Sequence, residues 1–561
     1  MEIVKKLARS KSAWFFLLPL LVFILLRLPL LHLPPFGDEA QDALEAVSLG
    51  MHNPNNPAVY PIMMFLILKC GSFFVGWSRL RWIPFLFSLG VWGLTVLIAD
   101  DFIGSAGALC AAWLLALSPL SVMVSPQLIM NGAFVPFFFL AFVFAYERFL
   151  RSDVFRWGPL LCCGILFGCL WLTTYAVFAL TAGIGLYSLV SSGFKKTLRD
   201  FAVIGIVAAA VFLPYPLLFP AHFHGSTQEV ASTSSGLFHI SHSVPEISRF
   251  LSMPWLYVSS WAKAVIFVGP LLFWGLARSF ARKESRARLG LLLSACLSYM
   301  LLLLLLINPE RTLDYWSPIL PLLCVLAAGE IMAWIKSPRW RNILLWTAIY
   351  WAVLGFLTIA GPHAVFPAHP IHYARSFWME FLSVRMFDGP SLSLFVRPAA
   401  ILAPFAGLAI FWLLGKRFPA ARSHLVALGL AYGLFFSLEY SRPLFSPNLN
   451  RAGAQMLESF KAEPPKQPFY LHGYSDIACE RAGIHRVASF MYADNLISRL
   501  IPVMKRTGGT LALADAPDIG PDSSLRKFLS RNARLEKTFG NHGVALVEIW
   551  SLKNPPAAKP R

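Results

Sequence analysis

Val59-Tyr60-Pro61-Ile62-Met63-Met64-Phe65-Leu66-Ile67-Leu68-Lys69-Cys70-Gly71-Ser72-Phe73-Phe74-Val75-Gly76-Trp77 is the stretch on which the reading of the whole chain turns. A helix needs about 20 mostly apolar residues to cross a bilayer. This stretch is barely that long and carries Lys69 near its middle. It reads either as a span or as an interfacial, partly re-entrant helix, and the rest of the chain decides.

The rest is membrane-like. The chain has 561 residues, 57% hydrophobic and 14% charged, with a mean hydropathy of +0.61. A soluble chain of this length carries far more charge. Apolar runs at 13–33, 82–99, 106–124, 132–149, 157–173, 174–192, 201–219, 257–277, 289–307, 317–335, 342–360, 397–415 and 424–440 read as thirteen spans. The stretch 157–192 holds no charge and has to fold back once, near Thr173-Thr174-Tyr175. The first run follows Lys5, Lys6, Arg9 and Lys11. It is long for a signal peptide and is followed by no small-residue cleavage site, so it reads as an uncleaved span with a cytoplasmic N-terminus.

The net charge of +19 points to membrane orientation and not to nucleic acid, because the cations sit in short loops. Alternate loops hold Arg148/Arg151/Arg156, Lys195/Lys196/Arg199, Arg278/Arg282/Lys283/Arg286/Arg288, Lys336/Arg339/Arg341 and Lys416/Arg417/Arg422. If 59–77 spans, all five lie outside. If it stays at the outer surface, all five share the cytoplasm with the basic N-terminus, as the positive-inside rule requires. The second reading is taken. It leaves Asp100-Asp101 inside, and it sets Arg79 and Arg81 outside, on the face that also receives Asp38-Glu39.

Those two carboxylates lie in Pro34-Pro35-Phe36-Gly37-Asp38-Glu39, directly after span one. Ala40, Ala43, Leu44 and Val47 then recur at helical spacing, which predicts a short amphipathic surface helix. Asp38 has two readings. It is an N-cap, with Gln41 completing a capping box, or an acid–base group facing a cavity. Arg27 and Lys263, near outer ends of spans, either snorkel to the interface or serve a polar site. Glu330 is expected to pair with Lys336.

After the last span the composition turns polar. Phe469–His472, Thr510–Ala514 and Val544–Leu552 read as strands, Asp494–Arg506 and Ser523–Asn532 as helices. The domain plan is therefore a transmembrane part at 1–440 with a first outer loop at 34–81, a small α/β domain at 441–552, and a disordered tail at 553–561. An odd number of spans puts the α/β domain outside. Of 8 cysteines, only Cys479 falls in a polar region, so neither a disulfide framework nor a CxxC metal site is expected. The histidines of the outer loops at 220–256 and 361–396 match no metal motif and read as interfacial packing, so no metal is assigned.

Four motifs, in order, resemble the C-class glycosyltransferases that use polyprenyl-phosphate sugars, above all aminoarabinose-transferase and protein O-mannosyltransferase-like members. They are Leu26-Arg27-Leu28 leading to Asp38-Glu39; Asn55-Asn56-Pro57-Ala58-Val59-Tyr60-Pro61 leading through a helix to Ser78-Arg79-Leu80-Arg81; Ala116-Leu117-Ser118-Pro119-Leu120 leading to Ser125; and Tyr315-Trp316-Ser317-Pro318-Ile319-Leu320-Pro321. They cover about the first 335 residues, and the C-terminal third is matched only in layout. The chain departs from the family pattern at Leu128, Ile129 and Met130, where an Arg is common, and at Asp314, where many members have Arg before the Tyr.

The resemblance implies an all-α polytopic membrane protein with surface helices and an extracytoplasmic α/β domain, multi-pass in the inner (plasma) membrane. It implies transfer of a sugar, with inversion, from a polyprenyl-phosphate donor to a glycan, lipid or protein acceptor on the outer face. Asp38 is then the candidate base and Glu39 its neighbour at the acceptor or sugar. Arg79 and Arg81, followed by Lys69, Arg311, Arg27 and Lys263, are the candidate cations for the lipid phosphate. Tyr315 either hydrogen-bonds that phosphate or anchors the interface. Two readings from other classes are a lipid-linked saccharide transporter or flippase, which moves substrate without turnover, and an envelope scaffold that binds through its α/β domain.

Overall fold

The computed structural model describes residues 13–33, 62–76, 79–151, 157–174, 176–218, 264–306, 314–335, 338–360, 398–442, 449–472, 488–490, 494–514, 523–541 and 544–553, with a few isolated positions between them. The chain forms two compact units. One takes in 1–32, 45–355 and 402–441; the other takes in 33–44, 356–401 and 442–561.

The first unit is helical. α1 (Ala13–Arg27) tightens into a 3-10 turn at Leu28–Leu30. α2 (Ile62–Val75) follows, then α3 (Trp82–Leu117), which joins two helices across Gly104. Gly104 has φ 76° and ψ 171°, a conformation costly for any residue with a Cβ. The chain reverses there. Ser88, Val91 and Leu115 line one small cavity, whereas a continuous helix would hold Ser88 and Leu115 about 40 Å apart. The second half of α3 stops at extended Ser118, and α4 (Pro119–Val124) begins at once with proline in its first turn, where the missing N–H costs nothing. A π-turn at Met130–Phe134 leads into α5 (Val135–Leu150).

α6 (Trp157–Trp171), α7 (Val177–Ser192), α8 (Phe194–Phe212) and α9 (Pro214–Leu218) come next. The uncharged stretch folds back between α6 and α7, through Thr173 and Thr174, as expected. α8 lies directly against α6: a Cβ on Gly164 or Gly168 would sit 2.5 and 2.7 Å from Val207 and Val211 Cβ. Small residues one turn apart allow this approach where lipid supplies no hydrophobic drive.

α10 (Pro270–Ala281) and α11 (Lys283–Leu306) correct the sequence reading. The run expected at 257–277 is broken at Gly269-Pro270, and the cations from Arg278 to Arg288 sit on helix ends, not in a free loop. α12 (Leu320–Ile335), α13 (Trp340–Ala360), α14 (Pro398–Gly415) and α15 (Pro419–Ser441) complete the set. Among the described residues, five helices are long and apolar enough to cross a membrane by length and composition, and six shorter apolar helices accompany them.

The two ends of the bundle are chemically distinct. At one end Asp101 accepts from Arg148 through both carboxylate oxygens, at 2.8 to 3.2 Å, and its carbonyl accepts from Arg151 at 3.2 Å. Asp101, of the acidic pair that looked out of place, thus meets cations of the basic loop, while Asp100 accepts from Ser105 Oγ at 2.7 Å. At the other end lie the close of α1, the start of α3, α4, the π-turn and the start of α12, gathered around one cavity.

Both ends of α2 reach this second end. Met63 N–H donates to Leu172 O at 3.0 Å, and Ile62 packs with Leu172 and Tyr215, where α6 finishes and α9 begins. Gly71 lies against Ile83, at the start of α3. Fourteen residues span about 21 Å, short of a hydrocarbon core of about 30 Å. α2 therefore returns to the end it left.

Within the second unit, α16 (Leu449–Ala462), β1 (Phe469–His472), β2 (Ala488–Phe490), α17 (Asp494–Thr507), β3 (Gly509–Ala514), α18 (Ser524–Asn532), β4 (Ala533–Asn541) and β5 (Val544–Leu552) form an α/β domain. The sheet order is β2-β1-β3-β5-β4. β1 runs parallel to β2 and β3, while β5 runs antiparallel to β3 and β4. Alternation along the strands fills two cores. Phe469, Leu471 and Ala512 pack with Met456 and Phe460 of α16. Tyr470, Leu511 and Leu513 pack with Met504 of α17 and with Leu525 and Leu529 of α18.

Candidate functional site

Asp38, Glu39, Arg311 and Lys263 lie outside the described residues, as do the two long histidine-bearing loops and Lys336. Arg27, Lys69, Arg79, Arg81 and Tyr315 are described, all on the first unit.

Arg27 closes α1 and is fully buried. Its Nε–H donates to Ser125 Oγ at 2.8 Å, one terminal nitrogen to Ser121 Oγ at 2.7 Å, and the other to Phe23 O at 2.8 Å. The guanidinium also lies over the Phe23 ring, 3.4 Å from its centre. So the Arg27 side chain turns inward and does not reach along the helix to the interface. Ser125 is the residue to which the Ala116–Leu120 motif leads, and Ser121 lies one turn before it. Pro119 and extended Ser118 turn α4 away from α3, and that turn aims both hydroxyls at span one.

Lys69 sits half-buried on α2, Arg79 is exposed in the turn that follows, and Arg81 is buried at the start of α3. Phe73 and Phe74, on the same stretch, are 78% and 90% exposed, an apolar tip next to cations. Tyr315 is half-buried in a 3-10 turn, Asp314–Trp316, just before α12.

Asp314 accepts from Asn131 Nδ2 at 3.0 Å, and Ser317 Oγ donates to Gly132 O at 3.3 Å. These bonds tie the turn before α12 to the π-turn before α5. Asn131 was not singled out from the sequence. Its signal was faint: a lone amide at the head of an apolar run. The structure gives Asp314 a defined structural partner at the position where an arginine was looked for. The Tyr315 turn is thereby held at the same end of the bundle as Arg27 and the start of α3.

Glu330 has partners besides the expected Lys336, which lies outside the described residues. It is 1% exposed and accepts from Arg282 at 3.1 Å and from Ser285 Oγ, with Arg278 at 3.5 Å. This cluster sits where α10, α11 and α12 meet. Of the cysteines, Cys110, Cys163, Cys296, Cys324 and Cys479 are buried, while Cys70 and Cys162 are exposed.

No protein-family model matches the chain, and no curated protein matches it by sequence. The fold nonetheless has counterparts among solved structures. Among solved structures the chain is similar to ArnT from Cupriavidus metallidurans in the apo state, with a TM-score of 0.54 and 16% identity over 96% of this chain and 97% of that one. It is similar to the same protein bound to undecaprenyl phosphate, with a TM-score of 0.53 and 14% identity over 97% and 98%. A likeness to the archaeal oligosaccharyltransferase AglB from Archaeoglobus fulgidus, in complex with an inhibitory peptide and a dolichol-phosphate, covers 89% of this chain and 54% of that one at 14% identity. Its TM-score of 0.31 is too low to bear on the fold. At these identities the likeness to ArnT is one of architecture, and it runs the full length of both chains.

Proposed function

We propose that this protein is an integral-membrane glycosyltransferase that takes a sugar from a polyprenyl-phosphate donor. The observation that carries the reading is the end-to-end likeness of fold to a protein solved with undecaprenyl phosphate bound. Cations of the resembling motifs at one end of the bundle support it. In the reaction, the acceptor's oxygen attacks the anomeric carbon from the face opposite the phosphate. The carbon–oxygen bond to phosphate breaks, the lipid phosphate leaves with the electron pair, and the configuration inverts. Asp38 takes the acceptor's proton as general base, and Glu39 positions the acceptor or the sugar. Charge grows on the departing phosphate. Fixed cations stabilise it without reorganising, and guanidinium groups do so with two-pronged geometry. Arg79 and Arg81 are assigned this task first, then Lys69, Arg311 and Lys263, with Tyr315 as a hydroxyl donor; Arg27, turned inward onto Ser121, Ser125 and Phe23 O, acts only from within the bundle.

The basic loops assign the Asp101–Arg148 end to the cytoplasm, so the reaction belongs to the outer face of the inner membrane. The odd number of spans read from the sequence assigns the α/β domain to the outer face as well. The acceptor is a glycan, a lipid or a protein.

Purified protein supplied with polyprenyl-phosphate sugars is expected to release the lipid phosphate, and Asp38→Asn to abolish release while the fold is kept. Full transfer by both Asp38→Asn and Arg79→Ala would overturn the site assignment. Movement of the lipid-linked sugar across a vesicle bilayer without release of lipid phosphate would instead favour a transporter.

A further inference from the structure

Arg27 is a fully buried cation with no carboxylate partner among the described residues. A guanidinium does not shed its proton in a protein. Its three acceptors, two serine hydroxyls and one carbonyl, are all neutral. The cavity that Ser121 and Ser125 help to line measures about 10 Å³, room for about one water, and Arg27 is 0% exposed, so bulk solvent does not hydrate the charge. Holding α1 against α4 needs only N–H donors, which a neutral amide would supply without the cost of an unpaired charge at membrane depth. What the charge adds is a field. In a low-dielectric surround that field is long-ranged and little screened by salt. It acts at the end of the bundle where span one leads into Asp38-Glu39 and where α3 begins with Arg81.

We infer that Arg27 is a positioning residue whose buried charge, without touching the substrate, holds the anionic phosphate of the lipid carrier at this end of the bundle. The inference rests on the function proposed above. It separates Arg27 from Arg79, whose exposed guanidinium meets the anion directly and is screened by salt.

The test is undecaprenyl phosphate binding by the purified full-length protein, measured as Kd at low and high salt. Arg27→Gln keeps donors for the two serines but loses the charge. It is expected to weaken binding about tenfold or more, equally at both salt concentrations. Arg27→Lys keeps the charge and is expected to restore binding to within about threefold of wild type. Ser121→Ala with Ser125→Ala removes the acceptors and keeps the charge, and is expected to bind within about threefold as well. The effect of Arg79→Gln is expected to shrink at high salt. Wild-type affinity in Arg27→Gln overturns the inference. So does a serine variant that loses as much as Arg27→Gln while Arg27→Lys fails to rescue, because the role is then that of a structural latch. Should Arg27→Gln not fold, the serine variant decides: loss of binding there overturns the inference. No binding by the wild-type protein overturns the functional reading itself.

Discussion

The Glu330 cluster allows a prediction whose size follows from its geometry. The carboxylate is 1% exposed, while Arg278 and Arg282 are each about a third exposed, at 34% and 35%. Removing one arginine leaves Glu330 with the other and with Ser285. The loss is then one charge-assisted contact, discounted for partial solvent screening, about 1 kcal/mol. Arg278→Ala also gives up its place over the Trp274 and Trp334 rings, adding about 0.5 kcal/mol. Removing both strands a buried carboxylate, which costs about 3–5 kcal/mol. The double variant should therefore fall about 1–3 kcal/mol below the sum of the singles. Reversible unfolding in mixed detergent micelles, read as a double-mutant cycle, measures this. Glu330→Gln introduced into the double variant should recover most of the loss, since a neutral amide stays buried far more cheaply than a charge. Strict additivity, or no recovery with Glu330→Gln, would refute the claim that an unpaired buried charge is the origin of the cost.

Two further outcomes follow from packing. A Cβ on Gly183 would overlap the Ser294 carbonyl, where α7 meets the backbone of α11. Gly183→Ala should cost about 1–3 kcal/mol, and unchanged thermal stability would mean the two backbones are not in contact. In the α/β domain, Glu548 accepts from Arg526 and from the Trp550 indole N–H at 2.8 Å. Glu548→Ala should destabilise that domain by about 1–3 kcal/mol, seen as faster proteolysis within 449–553 while the helical unit stays intact.

Much of the fold was legible because its determinants are local or are counted along the chain. The basic loops alone forced α2 to the surface, and the structure returns both of its ends to one side of the bundle. β1, β3 and β5 announced themselves by short apolar runs between turn residues. β4 did not, because Arg534, Glu536 and Lys537 make it look like surface. It is an edge strand, and charges there guard against pairing with other chains. β2 has only three residues, too few to carry a pattern. The helix α16 was missed although Ala452, Met456 and Phe460 recur at helical spacing. Asp38 and Glu39 fall outside the described residues, so their roles rest on the motif and on the experiment that tests it.

Apolar run length and loop charge determined the membrane class and the course of α2, and the order of four short motifs pointed to the architecture shared with ArnT. These signals survive in one dimension because the bilayer imposes length and sidedness on each segment separately. Tertiary structure alone decided which groups meet. The sequence left Arg27 open between interface and interior; the turn at Ser118-Pro119, far away along the chain, supplies the two serines that hold it inside. Glu330 meets Arg278 and Arg282 because α10 and α11 break where they do. Asp314 looked like a departure from a pattern until Asn131 lay beside it. Each of these contacts joins helices distant in sequence. Their meeting depends on how breaks at glycine and proline aim the segments that follow, which no local periodicity records.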